Sequence, residues 1–398
     1  MSDSPTPIVS YRTLALFFLR FSLQAFGGPV AHISMAEDEL VTRRKWLTRE
    51  HYLDLVAATN LIPGPNSTEV MIHVGFILRG IPGAVLAGAC FITPAALLSL
   101  ALALIYITYG TLPQIEAALW GIQPVIVAII LVAAYRLARS ALRTGPMWVL
   151  GAVSLLLIVV TPVPELFILL GAGVAYALFV RLRTAPTALF LIGGALPALV
   201  HAVDTTSAAV TPTMGGLFAF FFGVGATLFG SGYLLVTYLE NGLVRQLGWL
   251  TQDQLLAAIT IGQFTPGPVL TTATVTGTMI LGIPGAIVAT IAIFLPAFVL
   301  VIVTAPLIPR MRRNRTMGAF LDGINAAVIA AILVTVVRLA GTAFAPLTPT
   351  APLMIGPFSG IALLLGLLSL VALIRYRLNA TFLLLLGAGV GLLAGALT

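Results

Sequence analysis

NLIPGPNS at residues 60–67 and QFTPGPVL at 263–270 decide how this chain is read. Each sets a glycine between two prolines inside an otherwise apolar stretch. Proline removes a backbone donor and pushes the residue before it out of the helical region, while glycine turns freely. A helix that reaches either site ends there, and a new one begins just after Pro65 or Pro268. Two equivalent interruptions in one apolar chain ask for a common cause.

The surroundings are those of a membrane. Of 398 residues, 59% are apolar and 8% charged, with a mean hydropathy of +1.09, which is too little polar surface to clothe a water-soluble core. Long apolar runs recur from about residue 14 onward, and they are continuous rather than alternating, which selects helices over a barrel. The fold expected is all-α, a polytopic integral membrane protein. The N-terminal MSDSPTPIVS has no basic region and no small-residue cleavage site, so no cleaved signal peptide is expected. A single cysteine, Cys90, leaves no internal disulfide and no cysteine-built metal site. The net charge of +7 is almost wholly arginine, Lys45 being the one lysine, and it is scattered between apolar runs. That is the pattern of topology signals, not of a nucleic-acid surface.

The chain also repeats itself. At a shift of 203, Phe26-Gly27 falls on Phe229-Gly230, Glu37 on Glu240 and Leu40-Val41 on Leu243-Val244. Trp46-Leu47-Thr48 falls on Trp249-Leu250-Thr251, and Pro63-Gly64-Pro65 on Pro266-Gly267-Pro268. After a slip to 202, Gly80-Ile81-Pro82-Gly83 meets Gly282-Ile283-Pro284-Gly285, Pro94 meets Pro296, and Arg136-Leu137-Ala138 meets Arg338-Leu339-Ala340. So many matches in order, with one gap, indicate a duplication over 1–205 and 206–398.

Basic residues give each copy a direction. Arg43, Arg44, Lys45 and Arg49 follow the first apolar segment, whereas the matching 240–253 holds Arg245 against Glu240 and Asp253. Conversely, Arg310, Arg312, Arg313 and Arg315 load a loop whose partner near 108–116 has no basic residue. By the positive-inside rule the two copies lie in opposite senses, the inverted-repeat plan of secondary transporters. Crossing spans are then expected at about 83–109, 117–135, 145–161, 164–181, 186–202, 283–308, 317–339, 355–374 and 379–397. The span at 186–202 has no counterpart and inverts the second copy. Segments 12–36, 50–79, 213–239 and 253–281 must return to their starting side, as re-entrant hairpins or paired half-spans. Each carries a breaker at its middle: FGGP, PGP, FGSG and PGP.

Interrupted helices offer chemistry as well as shape. The first N–H groups of a new helix lack partners and cost several kcal/mol each in hydrocarbon unless satisfied. They also carry about half a positive charge, so a buried anion suits them. Asn66, Ser67 and Thr68 after the first break, and Thr271 and Thr272 after the second, would add side-chain donors. Gly27, Gly28 and Pro29, with Gly230, Ser231 and Gly232, would supply ends from the other two hairpins. Together with Asn60, Pro63, Gly64 and Pro65, and with Gln263, Pro266, Gly267 and Pro268, these form the candidate substrate site for a tetrahedral oxyanion. A plain kink that only packs helices is the competing reading. Asn60 and Gln263, equivalent amides three residues before each break, either face substrate or cap a neighbouring helix.

Other polar residues are less specific. Glu69 and His73 share a helix face at i, i+4 and suggest a proton site, an asymmetric one because the second copy has Thr272 at the Glu69 position. Arg20 either offsets substrate charge or snorkels to the membrane surface. Arg136 and Arg338 cannot both be topology signals in an inverted pair, and a packing or helix-end role is expected. Glu37 and Glu240 either cap the helices near Trp46 and Trp249 or form gates. The sequence has no metal-spaced His/Cys set, no P-loop and no hydrolase serine turn, so an enzyme, a bound cofactor and ATP drive are not expected.

FGGP at 26–29, RRKWLT at 43–48, PGPN at 63–66, the following GIPG and the second PGP at 266–268 resemble the chromate ion transporter family in its long, two-domain form. The resemblance covers essentially the whole chain and implies inverted halves, export of chromate across the inner membrane and chromate resistance. The motif positions carried over are Phe26, Gly27, Gly28, Pro29, Trp46, Pro63, Gly64, Pro65 and Asn66, with Gly230, Trp249, Pro266, Gly267 and Pro268. The second copy departs with FGSG, and with the loss of most of the RRK run, so equal roles for the halves do not follow. Expected partners are chromate or sulfate-like oxyanions and the lipid bilayer, with a homodimer as an option and nucleic acid excluded. Carriage of sulfate or another oxyanion, a passive anion channel, and a purely structural membrane protein are the alternatives.

Overall fold

The computed structural model describes residues 9–26, 28–59, 62–184, 211–229, 232–305, 315–347, 354–355 and 357–397. The expected span at 186–202 and the site residues Gly27, Asn60, Gly230 and Ser231 lie outside the described residues. Helices dominate: α1 (Tyr11–Gln24), α2 (Gly28–Glu37), α3 (Arg49–Thr59), α4 (Asn66–Tyr109), α5 (Pro113–Ala141), α6 (Gly145–Val160) and α7 (Glu165–Thr184). They continue as α8 (Met214–Thr227), α9 (Leu234–Leu239), α10 (Gln252–Phe264), α11 (Thr272–Thr304), α12 (Arg315–Ala343), α13 (Gly360–Val371) and α14 (Ala380–Leu397). A two-residue antiparallel ladder, Met354–Ile355 with Phe358–Ser359, precedes α13.

Equivalent residues start equivalent helices. Ser10 caps α1 by accepting from the Thr13 amide at 3.1 Å, and Thr213 caps α8 by accepting from Gly216 at 3.1 Å. Thr48 accepts from the His51 amide at 3.2 Å, and Thr251 closes a reciprocal capping box with Gln254. After α2 the chain widens into a π-turn at Asp38–Arg43, and after α9 it does so again at Glu240–Gln246.

Both Pro-Gly-Pro sites interrupt the helix. Thr59 ends α3 and Asn66 opens α4; Phe264 ends α10, and the tight turn Val269–Thr271 leads into α11. A second device follows each break. Gly80 and Gly282 adopt nearly identical left-handed conformations, with φ of 63° and 65°, after the non-helical Arg79 and Leu281. A side chain there would be strained. Each long helix folds back on itself at that point: a Cβ on Gly75 would lie 2.3 Å from the Gly83 carbonyl, and one on Gly277 2.4 Å from that of Gly285. In an unbroken helix residues eight apart are separated by about 12 Å. Glycine at all four positions lets the two arms touch backbone to backbone.

Packing exchanges elements between copies. α4 lies against α11, with α1 on α4 and α8 on α11. Among the long apolar helices α5 and α12 are the most enclosed; α5 takes α13 and α14 of the second copy, and α12 takes α6 and α7 of the first. Trp120, near the start of α5, donates from Nε1 to the Ala345 carbonyl just past the end of α12, at 2.7 Å. Arg143, just past the end of α5, is close enough to Asp322 near the start of α12 to act on its charge. Those two equivalent helices therefore run antiparallel to each other. Gly121 meets Gly387 and Gly391 backbone to backbone, which brings α5 and α14 into close contact.

Apolar side chains also cover the outside. Val159, Val160, Leu364, Leu367 and Leu368 are all more than half exposed, a surface suited to lipid rather than water. Among the described residues five helices, within Asn66–Tyr109, Pro113–Ala141, Glu165–Leu182, Val269–Thr304 and Thr316–Ala343, are long and apolar enough to cross a membrane. Residues 145–160, 214–227, 360–376 and 380–396 form shorter apolar helices. This is a multi-pass, all-α membrane protein.

Candidate functional site

The interruptions meet. The Gly64 amide in the first Pro-Gly-Pro donates to the Leu228 carbonyl at the end of α8, at 2.7 Å. The Gly267 amide in the second donates to the Ala25 carbonyl at the end of α1, at 2.8 Å. Residue 64 is equivalent to 267 and residue 25 to 228, so this is one contact made twice, as a pseudo-two-fold relation requires. The first breaks of the two copies also approach each other: a Cβ on Gly28 would lie 3.8 Å from the Tyr233 hydroxyl. Gly232 in turn faces Leu270. Two amides that the sequence left for an anion, Gly64 and Gly267, are thus already spent on the opposite copy's backbone. After each break the new turn closes on its own proline, the Glu69 amide donating to the Pro65 carbonyl and the Thr271 amide to the Pro268 carbonyl, both at 3.0 Å.

A histidine that the sequence reading passed over ties the junction together. His32 on α2 is buried, and its Nε2 donates to the Ala25 carbonyl at 2.8 Å, the same oxygen that accepts from Gly267. In the neutral ring Nδ1 then accepts from the Ser67 hydroxyl in the first turn of α4, at 3.4 Å. α1, α2, α4 and the second Pro-Gly-Pro are thereby linked through one carbonyl and one imidazole. Leu235 stands at the equivalent position in the second copy.

The two Pro-Gly-Pro sites differ in what covers them. At the first, the Glu69 carboxyl packs over Gly64: a Cβ on that glycine would lie 2.1 Å from Glu69 Oε1. Glu69 is fully buried, and both its oxygens, with Thr68 Oγ1 and His73 Nε2, lack a hydrogen-bond partner. His73 Nδ1 donates to the Glu69 carbonyl at 3.2 Å, so Nε2 presents a bare lone pair. At the second, Thr272 replaces Glu69 and turns its hydroxyl back to the Val269 carbonyl at 2.8 Å, while Thr271 donates to Pro268 at 2.9 Å. The donors that the sequence offered from Thr271 and Thr272 are therefore used within their own turn.

A cavity of about 40 Å³ opens beside the second break, lined by Gly28 and Ala25 of the first copy and by Tyr233, Gln263, Thr265 and Gly267 of the second. One water needs roughly 10–15 Å³ on this scale, so a group of a few heavy atoms fits. Of the candidate residues, Gly28, Gln263 and Gly267 line this cavity. Pro63, Gly64, Pro65, Ser67, Thr68, Glu69 and His73 surround the first break. Arg20 is exposed on α1.

Arg338 is satisfied away from this junction. Its Nη1 meets Glu240 Oε2 at 3.1 Å and Asn241 Oδ1 at 2.7 Å, with Glu240 buried in the π-turn. The equivalent Glu37 pairs instead with Arg49 at 3.1 Å on the surface. Arg136 is exposed.

Fold and junction together define a helical membrane transport protein whose interrupted helices converge in its interior. The chain belongs to the chromate transporter family, whose pattern matches twice, over residues 12–177 and 215–392. The "Chromate transport protein" of Cupriavidus metallidurans is 30% identical over 98% of this chain and 94% of its own length. That of Pseudomonas aeruginosa is 31% identical over 85% and 83% respectively. The "Probable chromate transport protein" of Synechococcus elongatus is 32% identical over 84% and 85%. No solved structure matches the chain. As a member of this family the protein is a transporter and not an enzyme.

Proposed function

We propose that this chain is a secondary transporter that exports chromate, or an oxyanion of the same shape and charge, across the inner membrane and so confers chromate resistance. The observation that carries the reading is that both Pro-Gly-Pro breaks bond to helix ends of the opposite copy, beside a small cavity lined by Gly28, Gln263 and Gly267 in an apolar protein. Helix N-termini after Pro65 and Pro268 bring partial positive charge into the apolar interior. The cavity suits a compact ion. Gln263, Tyr233 and Thr265 add polar groups at its wall.

The copies, 1–205 and 206–398, form an inverted pair in this reading. The antiparallel α5 and α12 and the reciprocal Gly64 and Gly267 bonds support it, as do the basic loops of the first copy. Alternating access then follows from rocking one copy's elements against the other's. Expelling a dianion from a cell that is negative inside is downhill by about 4.6 kcal/mol per 100 mV. Export therefore needs no further energy source at ordinary potentials.

Chromate and sulfate flux into proteoliposomes of the full-length protein, under imposed voltage and pH gradients, tests this. Saturable uptake with counter-substrate exchange is expected. Flux that follows voltage without saturating would make the protein a channel instead. Absence of flux for both ions would remove the oxyanion reading.

A further inference from the structure

We propose that Arg136 is the counter-charge for the transported anion, standing at the edge of the cavity beside the second Pro-Gly-Pro and holding the ion together with Tyr233, Gln263 and Thr381. The inference rests on the oxyanion reading above and deepens it by naming a cation.

A dianion in an apolar interior needs positive charge at hand, and none of the residues lining the cavity carries any. The packing of α5 brings one to it. α5 and α14 run antiparallel in close contact, with Ala117 against Gly391 and Gly395, and Val125 against Gly387. In that register Ala380 and Thr381, which line the cavity, fall beside about residue 130 of α5. Arg136 stands about 9 Å further along, and at about 100° per residue it lies only some 20° round the helix from Val125. Helical side chains lean toward the N-terminus of their helix, and for Arg136 that direction is toward the cavity. Arg136 is close enough to the Tyr233 hydroxyl at the cavity wall to act on its charge, and no other charged group among the described residues does so.

This arginine is also free to serve. Its equivalent, Arg338, is held by Glu240 and Asn241 at 3.1 and 2.7 Å, whereas Arg136 has neither an ion pair nor a hydrogen bond among the described residues. The cause lies in the RRK run. Glu37 and Asp38, equivalent to Glu240 and Asn241, pair with Arg49 at 3.1 Å and Arg43 at 2.9 Å. The second copy has Gln252 and Gln246 in place of those two arginines, so its buried glutamate takes Arg338 instead. Tyr233, Gln263 and Thr381 likewise present side-chain polar groups with no hydrogen-bond partner among the described residues, while Thr265 spends its hydroxyl on the Ile261 carbonyl at 2.7 Å. One unpaired cation and three unpaired polar side chains thus gather at one small space. Of the other arginines of α5 and the turn after it, Arg143 acts on Asp322 and Arg139 stands one turn further from the cavity.

Chromate flux in proteoliposomes of the full-length protein tests this, with melting temperature as the control for folding. Arg136→Gln is expected to melt with the wild type and to raise the KM for chromate by about 10- to 100-fold, the range for losing a charged hydrogen-bond partner. Arg136→Lys is expected to recover part of that loss, because it restores the charge. Tyr233→Phe should raise KM by about three- to tenfold. Arg139→Gln, which removes the same charge one turn away, should change KM by less than about threefold. An unchanged KM in Arg136→Gln would overturn the proposal, as would a loss that Arg136→Lys fails to reduce. Equal rises in Arg136→Gln and Arg139→Gln would overturn it too, by making the arginines a diffuse attracting field. In all three cases the wild type still moves chromate and the oxyanion reading stands. A wild type that binds and moves no chromate would fail that reading first, and this proposal with it.

Discussion

The two Pro-Gly-Pro breaks share a backbone and differ in their contents. Gly64 and Gly267 each donate to the opposite copy's helix end, at 2.7 and 2.8 Å, and each is followed by a glycine turn with φ near 64°. Over Gly64 sits the Glu69 carboxyl, orphaned and buried; over Gly267 the equivalent Thr272 folds back on its own turn and a cavity remains. The hydrogen-bonded frame is the same at both breaks, and neither can alter it without unpairing the other half's helix end. Side chains one turn further on were free to diverge. The frame is two-fold, and its chemistry is not.

The strongest attack on that frame is Gly267→Ala. Its φ of +98° disfavours any side chain, and the new Cβ would meet Ala95 at 2.7 Å and Ser22 Oγ at 3.1 Å, neither on a flexible arm. A loss of about 2–5 kcal/mol is expected from the left-handed backbone and overpacking together, with transport abolished. Thermal unfolding in detergent and chromate flux would report it. Undiminished stability would mean that the second break is looser than its counterpart.

Next comes the pair of equivalent arginines. Arg338→Ala strands the buried Glu240 and should cost about 2–3 kcal/mol, the partial exposure of Arg338 moderating the usual penalty. Arg136→Ala, at an exposed position, should stay within about 0.5 kcal/mol. Equal effects in melting experiments would contradict the divergence of the copies.

Gly64→Ala sharpens the comparison, because its obstacle is the long Glu69 side chain rather than the short side chains of Ala95 and Ser22. Combined with Glu69→Ala, it should recover about 1–2 kcal/mol relative to the additive expectation, while Gly267→Ala gains nothing from Glu69→Ala. A double-mutant cycle on melting temperatures measures this. The smallest effect expected is that of Thr272→Val: its hydroxyl serves a local carbonyl, so stability should change by less than about 1 kcal/mol and the KM for chromate should not change. A large rise in KM would return Thr272 to the substrate wall.

Much of the fold was legible because it is written locally. Apolar run length placed the spans: 117–135 lies inside α5, and 145–161 and 164–181 match α6 and α7 within a few residues. Proline and glycine placed the breaks, and self-comparison paired them. What stayed hidden depends on contacts between distant residues. Nothing near Arg338 in sequence announces Glu240, 98 residues away. His32 read as a lone polar residue in an apolar run, and only the approach of Ala25 and Ser67 gives it a role. GIPG at 80–83 was visible as a repeated motif, yet its meaning as a hairpin needed the left-handed Gly80 and the touching Gly75 and Gly83. Glu69 was visible as an intramembrane acid; that it bends back over Gly64 is a matter of rotamer and packing.

The reciprocal amide bonds have a consequence for biogenesis. Gly64 enters the bilayer some 160 residues before the ribosome has made Leu228, its acceptor. For that interval the nascent first copy holds an unanswered donor in a medium that penalises it heavily. Insertion is therefore expected to pause in an open, translocon- or lipid-shielded intermediate, and to lock only when the second copy threads into place.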